Sequence, residues 1–285
     1  MSDCVNYTAG GNTDSVWWEM LRKVLEHGSE THPRGFNCLE VSPHTSCIPM
    51  SWPIVTCAER KLGYRFMAAE AWWILSGRND VASLAAYSKE NVSFSNDGIY
   101  FDGAYGPMVV DQLRYVVDSL EADQDTRQAV MTIWRRNPRP SRDIPCTISI
   151  QWMIRDGLLH CYDTMRSSDL WLGWPYDVFN FSCLSALILL HLKRRSAAPN
   201  AVGLGNLYLS AGSEHLYERN FDAARSIATG NVYTRPYGSI PVGQMTHPDQ
   251  LIEWLRKAKD RQIPKAAWLG EFLGSEDVPW EGYGV

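Results

Sequence analysis

The chain has 285 residues, of which 45% are hydrophobic and 21% are charged, and its formal net charge at pH 7 is −5. This composition allows a sizeable core, while the negative charge argues against a general nucleic-acid binder and leaves room for one local phosphate pocket. The seven cysteines are odd in number and contain no CxxC pair, which favours neither a disulfide framework nor a zinc site. The N-terminus is polar and unlike a signal peptide, and the most apolar run, 185–192, is too short to span a bilayer. We therefore expect a soluble protein of a reducing cytoplasm, without a metal and without a membrane or nucleic-acid partner.

Hydrophobic periodicity and turn-forming residues predict helices and strands along one domain, 1–285. The expected helices are 14–28 with Asp14 as N-cap, 66–75, one from Asp80, one opened by Pro107, the apolar and central 177–192, 213–229 with Ser213 as N-cap, and 248–259. The expected strands lie within 36–56 and at 128–134, 147–154, 158–165 and 204–210, with a tight hairpin at 155–157. Loops are expected at 30–35 and 91–106, and the tail 270–285 is a candidate flap. No repeat or linker interrupts the pattern, so one α/β domain is the simplest architecture.

The segment 144–184 contains a candidate nucleophile and a candidate anion site. Cys146 follows Pro145 at the start of a predicted strand, where a side chain can face a cleft, and its thiolate would need a cation such as Arg166. The other six cysteines are expected to be small buried side chains. Arg166 with Ser167 and the next serine could clamp a phosphate; the simpler alternative is a surface salt bridge between Arg166 and Asp169.

Four further side chains could act on a substrate. Glu70 lies in an aromatic, apolar helix, where burial would raise its pKa and suit it for proton transfer, unless it lies on the solvated face. Asp177 opens the central helix and either compensates the helix dipole or contacts a base, accepting from an exocyclic amine and sharing a proton with a ring nitrogen. His215 and Tyr217 could hold a sugar hydroxyl or simply pack. No GxGxxG or P-loop pattern supports a dinucleotide or nucleoside triphosphate site.

An ordered set of short motifs gives most of the chain its resemblance to the thymidylate synthase superfamily. The set comprises Arg34, Glu70 before Trp72-Trp73-Ile74-Leu75, Tyr105-Gly106, Asp125-Thr126-Arg127, Pro145-Cys146, Arg166-Ser167-Ser168-Asp169, Leu172-Gly173-Trp174-Pro175-Tyr176-Asp177 and Gly212-Ser213-Glu214-His215-Leu216-Tyr217. One such motif would be weak evidence for a family, whereas the whole set in the family's order is strong evidence. The resemblance implies an α/β (α+β) fold with a large twisted mixed sheet flanked by helices, and a homodimer formed through the sheet face.

The resemblance also implies a mechanism and a role for each matching residue. Cys146 would add to C6 of a pyrimidine nucleotide, and C5 would then attack the one-carbon unit of 5,10-methylenetetrahydrofolate. Loss of the folate would leave an exocyclic methylene, and elimination of Cys146 would release the product. The implied phosphate contacts are Arg34, Arg166, Ser167 and the partner subunit's Arg127, and the implied sugar contacts are His215 and Tyr217. Glu70 would organise proton transfer, Tyr105 would assist at C5, Asp169 would contact the pterin, and the remaining folate contacts would be Arg60 or Lys61 at the glutamate tail and Trp72.

Asp177 decides the expected substrate. Thymidylate synthases carry Asn there, whereas this chain resembles phage-type deoxycytidylate hydroxymethylases both at Asp177 and at Thr147, so dCMP is expected. The synthases' Trp-Asp-x-x-Trp is replaced by Phe94-Ser95-Asn96, which favours capture of the methylene by water and hence hydroxymethylation. A phage protein acting in the host cytoplasm would fit this resemblance.

Several alternatives stay open at this point. Within the family they are a dCMP C5-methyltransferase and a CMP hydroxymethylase. Outside it they are a cysteine hydrolase with His160 or His215 as base and a non-catalytic nucleotide-binding relative. Two departures from the family pattern stand out: Gln128 replaces a second phosphate Arg, and neither Glu218 nor Arg219 supplies the Asn expected after the sugar-binding Tyr.

Overall fold

A computed structural model describes residues 7–195, 202–230 and 235–273 of the chain. The described helices are α1 (Thr13–His27), α2 (Tyr64–Leu75), α3 (Ala82–Ala85), α4 (Gly106–Ala122), α5 (Trp174–Arg195), α6 (Phe221–Thr229), α7 (Pro248–Lys259) and α8 (Gly270–Leu273). The described strands are β1 (Tyr7–Ala9), β2 (Ser29–Thr31), β3 (Cys38–Val41), β4 (His44–Pro49), β5 (Val130–Thr132), β6 (Thr147–Arg155), β7 (Leu158–Met165), β8 (Ser168–Asp169), β9 (Gly203–Ala211) and β10 (Glu214–Tyr217). The predicted flap lies outside the described residues from position 274 onward.

The larger sheet has six strands in the order β1-β4-β9-β7-β6-β5 and is mixed. β6 and β7 form the predicted hairpin, in which Asp156 and Gly157 both take positive φ angles of 51° and 71°. Positive φ at both central residues matches the right-handed twist of the flanking strands. β7 and β9 are parallel, and α5 is the helix that connects them, so α5 crosses one face of the sheet.

α5 is the central helix of the fold, as its apolar sequence predicted. The indole Nε1 of Trp152 on β6 donates a hydrogen bond of 2.9 Å to Ser185 Oγ and fixes the helix over the sheet. By length and composition alone, this 22-residue helix could cross a membrane. It is longer than the apolar run 185–192 identified from the sequence. Because 89% of its most apolar window is buried inside the protein, α5 is here a core helix.

The smaller sheet has the order β2-β3-β10-β8 and corrects one prediction. The predicted helix from Ser213 to position 229 is wrong in its first half, because Glu214–Tyr217 forms β10 and α6 begins only at Phe221. β10 pairs antiparallel with β3 and parallel with β8, so tertiary hydrogen bonding overrides the local capping signal. The loop expected at 30–35 likewise contributes β2 before a short 3₁₀ turn, Pro33–Gly35.

The first helix shows a second correction, since Asp14 is not its N-cap. Asn12 caps α1 and forms a capping box with Ser15. The Asp14 carboxylate accepts instead from the backbone and hydroxyl of Thr56, both at 2.7 Å, and from Cys57 N at 3.2 Å. This buried carboxylate therefore ties α1 to the segment that leads into α2.

Candidate active site

Cys146 lies immediately before β6, partly exposed, with its carbonyl accepting from Arg166 N at 2.8 Å. Its sulfur is 3.6 Å from Arg166 Nη2 and 3.7 Å from Ser167 Oγ. Burial raises the pKa of the Cys146 thiol, and the guanidinium of Arg166 and the hydroxyl of Ser167 act in the opposite direction. The predicted nucleophile and its predicted cation are thus adjacent.

Arg166 is held in place by the main chain. Its Nε donates to Pro145 O at 3.0 Å and its Nη2 to Ile144 O at 3.1 Å, while Nη1 reaches Ser167 Oγ at 3.2 Å. Asp169 turns away from it, because Asp169 Oδ1 accepts from the backbone N–H groups of Trp171 and Leu172. The exposed guanidinium is therefore pre-positioned for an external anion next to the thiol.

Arg34, His215 and Tyr217 form a second cluster at the same end of the fold. Arg34 sits in a left-handed turn with φ 54° and donates from Nη2 to Tyr217 Oη at 3.2 Å. The His215 ring meets the Tyr217 ring edge-on, with centroids 5.2 Å apart. The pairing of β10 with β8 places His215 opposite Asp169, which brings the cluster next to the 166–169 segment. Three predicted substrate contacts from distant parts of the sequence are therefore neighbours.

Arg127 lies away from these residues. Its carbonyl accepts from Gln151 Nε2 at 2.7 Å, and Gln151 is four residues along β6 from Thr147, roughly 13 Å at the usual strand rise. The Arg127 side chain is exposed. The role in a partner subunit's site that the resemblance implies for Arg127 stays a prediction.

Glu70 and Asp177 approach the site from two helices. Glu70, in the middle of α2, accepts a 2.8 Å hydrogen bond from Asn180 Nδ2 on α5, and burial raises the pKa of Glu70 to about 7. Asp177 lies in the first turn of α5, and burial together with the carboxyls of Glu70 and Asp169 raises its pKa well above the usual range. Both acids can therefore be protonated near neutral pH. Asn180 was missed by the sequence analysis, although its i+3 spacing from Asp177 places the two on one helix face.

Tyr105 completes this wall of the site. Its hydroxyl accepts from Thr147 N at 3.1 Å, and its ring stacks on Phe181 with an interplanar angle of 13°. Burial, Cys146 and Asp177 all raise the pKa of Tyr105, so its hydroxyl stays protonated. Tyr105 thus presents a neutral O–H group beside the nucleophile.

The three residues expected to contact the folate lie in different surroundings. Arg60 is 8% exposed, donates from Nε to Trp171 O at 2.9 Å and has its guanidinium 4.8 Å from the centre of the Trp171 ring. Its guanidinium therefore binds groups inside the protein. Lys61 is exposed and takes a left-handed φ of 52°. Trp72 follows Glu70 by two residues, which turns it to the opposite face of α2. There the Trp72 ring carries Lys259 Nζ at 4.8 Å and the Arg78 guanidinium at 5.3 Å.

Two loops meet beside the site in a polar network that the sequence did not reveal. Asn96 Nδ2 donates to Asp102 Oδ2 at 2.5 Å and to Ser141 Oγ at 2.7 Å. Arg142 Nη2 donates to Ser95 O at 2.6 Å. These contacts join the loop at 94–96, which replaces the synthases' aromatic segment, to residues 141–142, a few positions before Cys146.

The cysteine-hydrolase alternative finds no support in this geometry. Within the described ranges, the hydrogen-bonding neighbours of the Cys146 sulfur are Arg166 and Ser167, and neither is a base. His160 lies well along β7, where its Nδ1 accepts from Asn206 N at 3.1 Å. No group of three or more His, Cys, Asp or Glu suited to a metal ion occurs among residues 7–195, 202–230 and 235–273.

Comparison with known proteins identifies the family. The family model described as thymidylate synthase matches residues 15–254, and the chain therefore belongs to the thymidylate synthase family. A similar protein is the deoxyuridylate hydroxymethyltransferase of Bacillus phage SP01, which is 29% identical over 240 residues. The match covers 75% of this chain and 60% of that relative, so the chain spans less than two thirds of the relative's length. The resemblance predicted from the motifs is confirmed for the family and for its mixed α/β fold.

Proposed function

From this family membership and the geometry of the site, we propose that the chain is a folate-dependent C5 hydroxymethyltransferase acting on dCMP. The observation that carries the proposal is the carboxyl of Asp177, which lies in the first turn of α5 near Cys146 and near the acids Glu70 and Asp169. The related phage protein is named for deoxyuridylate. It supports hydroxymethyl transfer to a pyrimidine nucleotide, and Asp177 is our reason to propose cytosine in place of uracil.

The preference for cytosine follows from proton chemistry. A neutral carboxyl donates its O–H to the N3 acceptor of cytosine and accepts from the N4 amine. As Cys146 adds to C6, N3 becomes more basic and takes the proton of Asp177, so that the carboxyl works as a general acid. A uracil ring carries its own N3–H and has no need of this proton, so Asp177 favours reaction of cytosine.

The nucleophile and the phosphate contacts follow from the two clusters. The guanidinium of Arg166, with Ser167, holds the 5′-phosphate near the thiol and favours the thiolate. Arg34 adds a second cation at the same end, and His215 and Tyr217 hold the sugar hydroxyl. In this proposal the partner's Arg127 completes the phosphate site.

The residues present fit the folate co-substrate in one respect that the structure makes visible. Asp169 Oδ2 is buried and has no hydrogen-bond partner among the described residues, and the N–H groups of a pterin would satisfy such an acceptor. Methylenetetrahydrofolate, when bound, supplies the one-carbon unit. Glu70, with a pKa of about 7 and the amide of Asn180 on its Oε2, can hold or release a proton at working pH.

The product is proposed to be the hydroxymethyl nucleotide because of the loop after Phe94. Ser95 and Asn96 take the place of a bulky aromatic, and both engage polar partners: Ser95 Oγ donates to Tyr100 O at 2.7 Å, and Asn96 contacts Asp102. A loop of small polar side chains admits water where an aromatic ring would exclude it. Water then adds to the exocyclic methylene of the nucleotide, and Cys146 leaves.

We also propose a homodimer formed through the outer face of the six-stranded sheet. This face, opposite α5, exposes apolar and aromatic side chains: Tyr7 is 44% and Leu158 38% exposed, and the rings of Tyr162 and Tyr208 stack with centroids 4.9 Å apart. An exposed apolar sheet face of this kind is typical of an interface between subunits.

The decisive experiment measures the mass of the product formed from dCMP and methylenetetrahydrofolate while dihydrofolate is followed by absorbance. A gain of CH2O without dihydrofolate supports the proposal. A gain of CH2 with one dihydrofolate per turnover identifies a dCMP methyltransferase. Turnover of dUMP with none of dCMP would refute the role of Asp177, and turnover of CMP in place of dCMP would redirect the proposal to the ribonucleotide.

A further inference from the structure

We propose that Asp163 is a positioning residue for this reaction: a neutral carboxylic acid behind Asp177 that donates a hydrogen bond toward the Asp177 carboxylate once Asp177 has given its proton to the base. The inference rests on the function proposed above and adds a residue outside the motifs that carry the family resemblance. It concerns the interior of the protein, on the side of Asp177 that faces away from the substrate.

The fold fixes the place of Asp163. It lies on β7 opposite Ile150 of β6 and Leu209 of β9, in the middle of the six-stranded sheet, and is 1% exposed. Its side chain points to the same face as the buried Cys161, two residues before it. That face is covered by α5, because Trp152, the pairing partner of Cys161, donates to Ser185 Oγ on the helix.

The direction of α5 then brings Asp177 close. α5 connects two parallel strands, so it runs opposite to β7. Asp163 lies about 7 Å beyond Cys161 along β7. In that same direction along α5, Asp177 lies about 12 Å beyond Ser185. Asp163 therefore lies under the first turns of α5, within electrostatic reach of Asp177, whose charge raises the pKa of Asp163.

The surroundings of Asp163 favour its neutral form. Neither of its carboxyl oxygens has a hydrogen-bond partner in the described parts of the chain, and the buried hydroxyls Thr147 Oγ1 and Ser182 Oγ are likewise unpartnered. A fully buried carboxylate without donors or cations is very unfavourable, so the group keeps its proton.

The titratable groups that interact with the two carboxyls are all acids. They are Cys161 beside Asp163, and Glu70, Asp169, Glu214, Cys146 and Tyr105 around Asp177. Two cations of this region are engaged by other groups: the buried guanidinium of Arg60 donates to Trp171 O and lies over the Trp171 ring, and the exposed Arg166 donates to two backbone carbonyls. Neutral hydrogen-bond donors must therefore stabilise a negative charge that forms on Asp177.

The catalytic step supplies that negative charge. A sulfur lone pair of Cys146 forms the bond to C6, the C5=C6 electrons move to the C4–C5 bond, and the C4=N3 electrons become a lone pair on N3. N3 takes the proton from Asp177, which becomes a carboxylate. The O–H of neutral Asp163 then donates toward this carboxylate through one buried water. A charge-assisted hydrogen bond of this kind appears only as the reaction proceeds, so it accelerates the chemical step and does little for substrate binding.

The test compares Asp163→Leu, which removes the donor and keeps a side chain branched at Cγ, with Asp163→Asn, which keeps an N–H donor. The Leu variant is expected to lower kcat for dCMP about 10- to 100-fold with KM changed less than threefold, and the Asn variant to recover most of the loss. Cys183→Ala, a buried change on α5, serves as the control and should leave kcat unchanged. Equal kcat values for the Leu variant and the wild type, or an Asn variant as slow as the Leu variant, would overturn the proposal.

A second measurement is independent of turnover. Infrared spectra of the unliganded protein at pH 8 are expected to show a carbonyl band of neutral carboxylic acids that loses the contribution of Asp163 in Asp163→Asn. If the wild type turned over no dCMP but kept this band, the proposed function would fail and the neutral acid would stand. Identical spectra for the wild type and the Asn variant would refute the neutral acid, whether or not the Leu variant folds.

Discussion

Replacing Asp177 by Asn is the sharpest perturbation of the proposed function. The two side chains have nearly the same volume, and Asp177 lies in the first turn of α5, a helix whose buried residues anchor it along its length. The variant is therefore expected to fold. What it loses is the proton, because an amide hydrogen-bonds to a base but cannot transfer a proton to N3.

The expected magnitude follows from that loss. An amide can turn its NH2 toward N3 of cytosine and its carbonyl toward N4, so dCMP should still bind and its KM should change little. A positioned general acid contributes about 10²- to 10⁴-fold, and kcat for dCMP should fall by that factor. For uracil the amide accepts from N3–H and donates to O4, so turnover of dUMP should rise.

The assay determines kcat/KM for dCMP and dUMP side by side at pH 7 with methylenetetrahydrofolate. The ratio of the two values should move toward dUMP in Asp177→Asn and stay constant in Asp222→Asn, a matched change at a fully exposed position of α6. In the wild type, kcat/KM for dCMP should also fall as pH rises through the elevated pKa of Asp177, since only its neutral form supplies the proton. An unchanged dCMP/dUMP ratio in Asp177→Asn would refute the reasoning.

Three further outcomes are expected. Glu70→Gln should stabilise the protein by about 2 kcal/mol at pH 8, with no difference near pH 4.5, because the folded pKa of about 7 lies above the unfolded value and stability is lost as pH rises through it; urea midpoints equal at both pH values would contradict this. Mixing inactive Cys146→Ala with inactive Arg127→Ala should restore about a quarter of wild-type activity if Arg127 acts across a dimer, and none if it acts within its own subunit. Arg166→Gln should slow alkylation of Cys146 by iodoacetamide several-fold at pH 8, because the guanidinium 3.6 Å from the sulfur favours the thiolate. Peptide mass mapping measures that rate, with Cys57, whose pKa is about 11, as the internal control, and an unchanged Cys146 rate would refute the role of Arg166.

Local sequence patterns predicted the elements whose signals are local. The hairpin between β6 and β7 needs only two residues with positive φ, and α5 needs only a long apolar run. The segment Glu214–Tyr217 was misassigned because its strand state comes from β3 and β8, more than forty residues away in the chain. Asp14 was misassigned for the same reason, since Thr56 competes successfully for its carboxylate.

The candidate site divides in the same way. Cys146, Arg166 and Ser167 could be found because they flank the two strands of a predicted hairpin and carry recognisable chemistry. Asn180 and Asp163 could not be found, because a polar side chain in an apolar pattern can be assigned a role only when the packing of α5 on α2 and on β7 is known. Trp72 shows the converse: its place beside a site residue in the sequence turns it to the opposite side of the helix, where Lys259 covers its ring.

The distribution of charge explains how an acidic protein can hold an anionic nucleotide in one orientation. Arg34 and Arg166 lie exposed at one end of the site, and Asp177 and Glu70, which are partly buried, lie at the other. A phosphate is drawn to the guanidinium groups, and the reverse orientation would press it against acids. Because burial raises the pKa of both acids, they carry less negative charge near neutral pH and offer the base hydrogen-bond donors and acceptors. The same burial that orients the nucleotide therefore also supplies the proton that the addition of Cys146 requires.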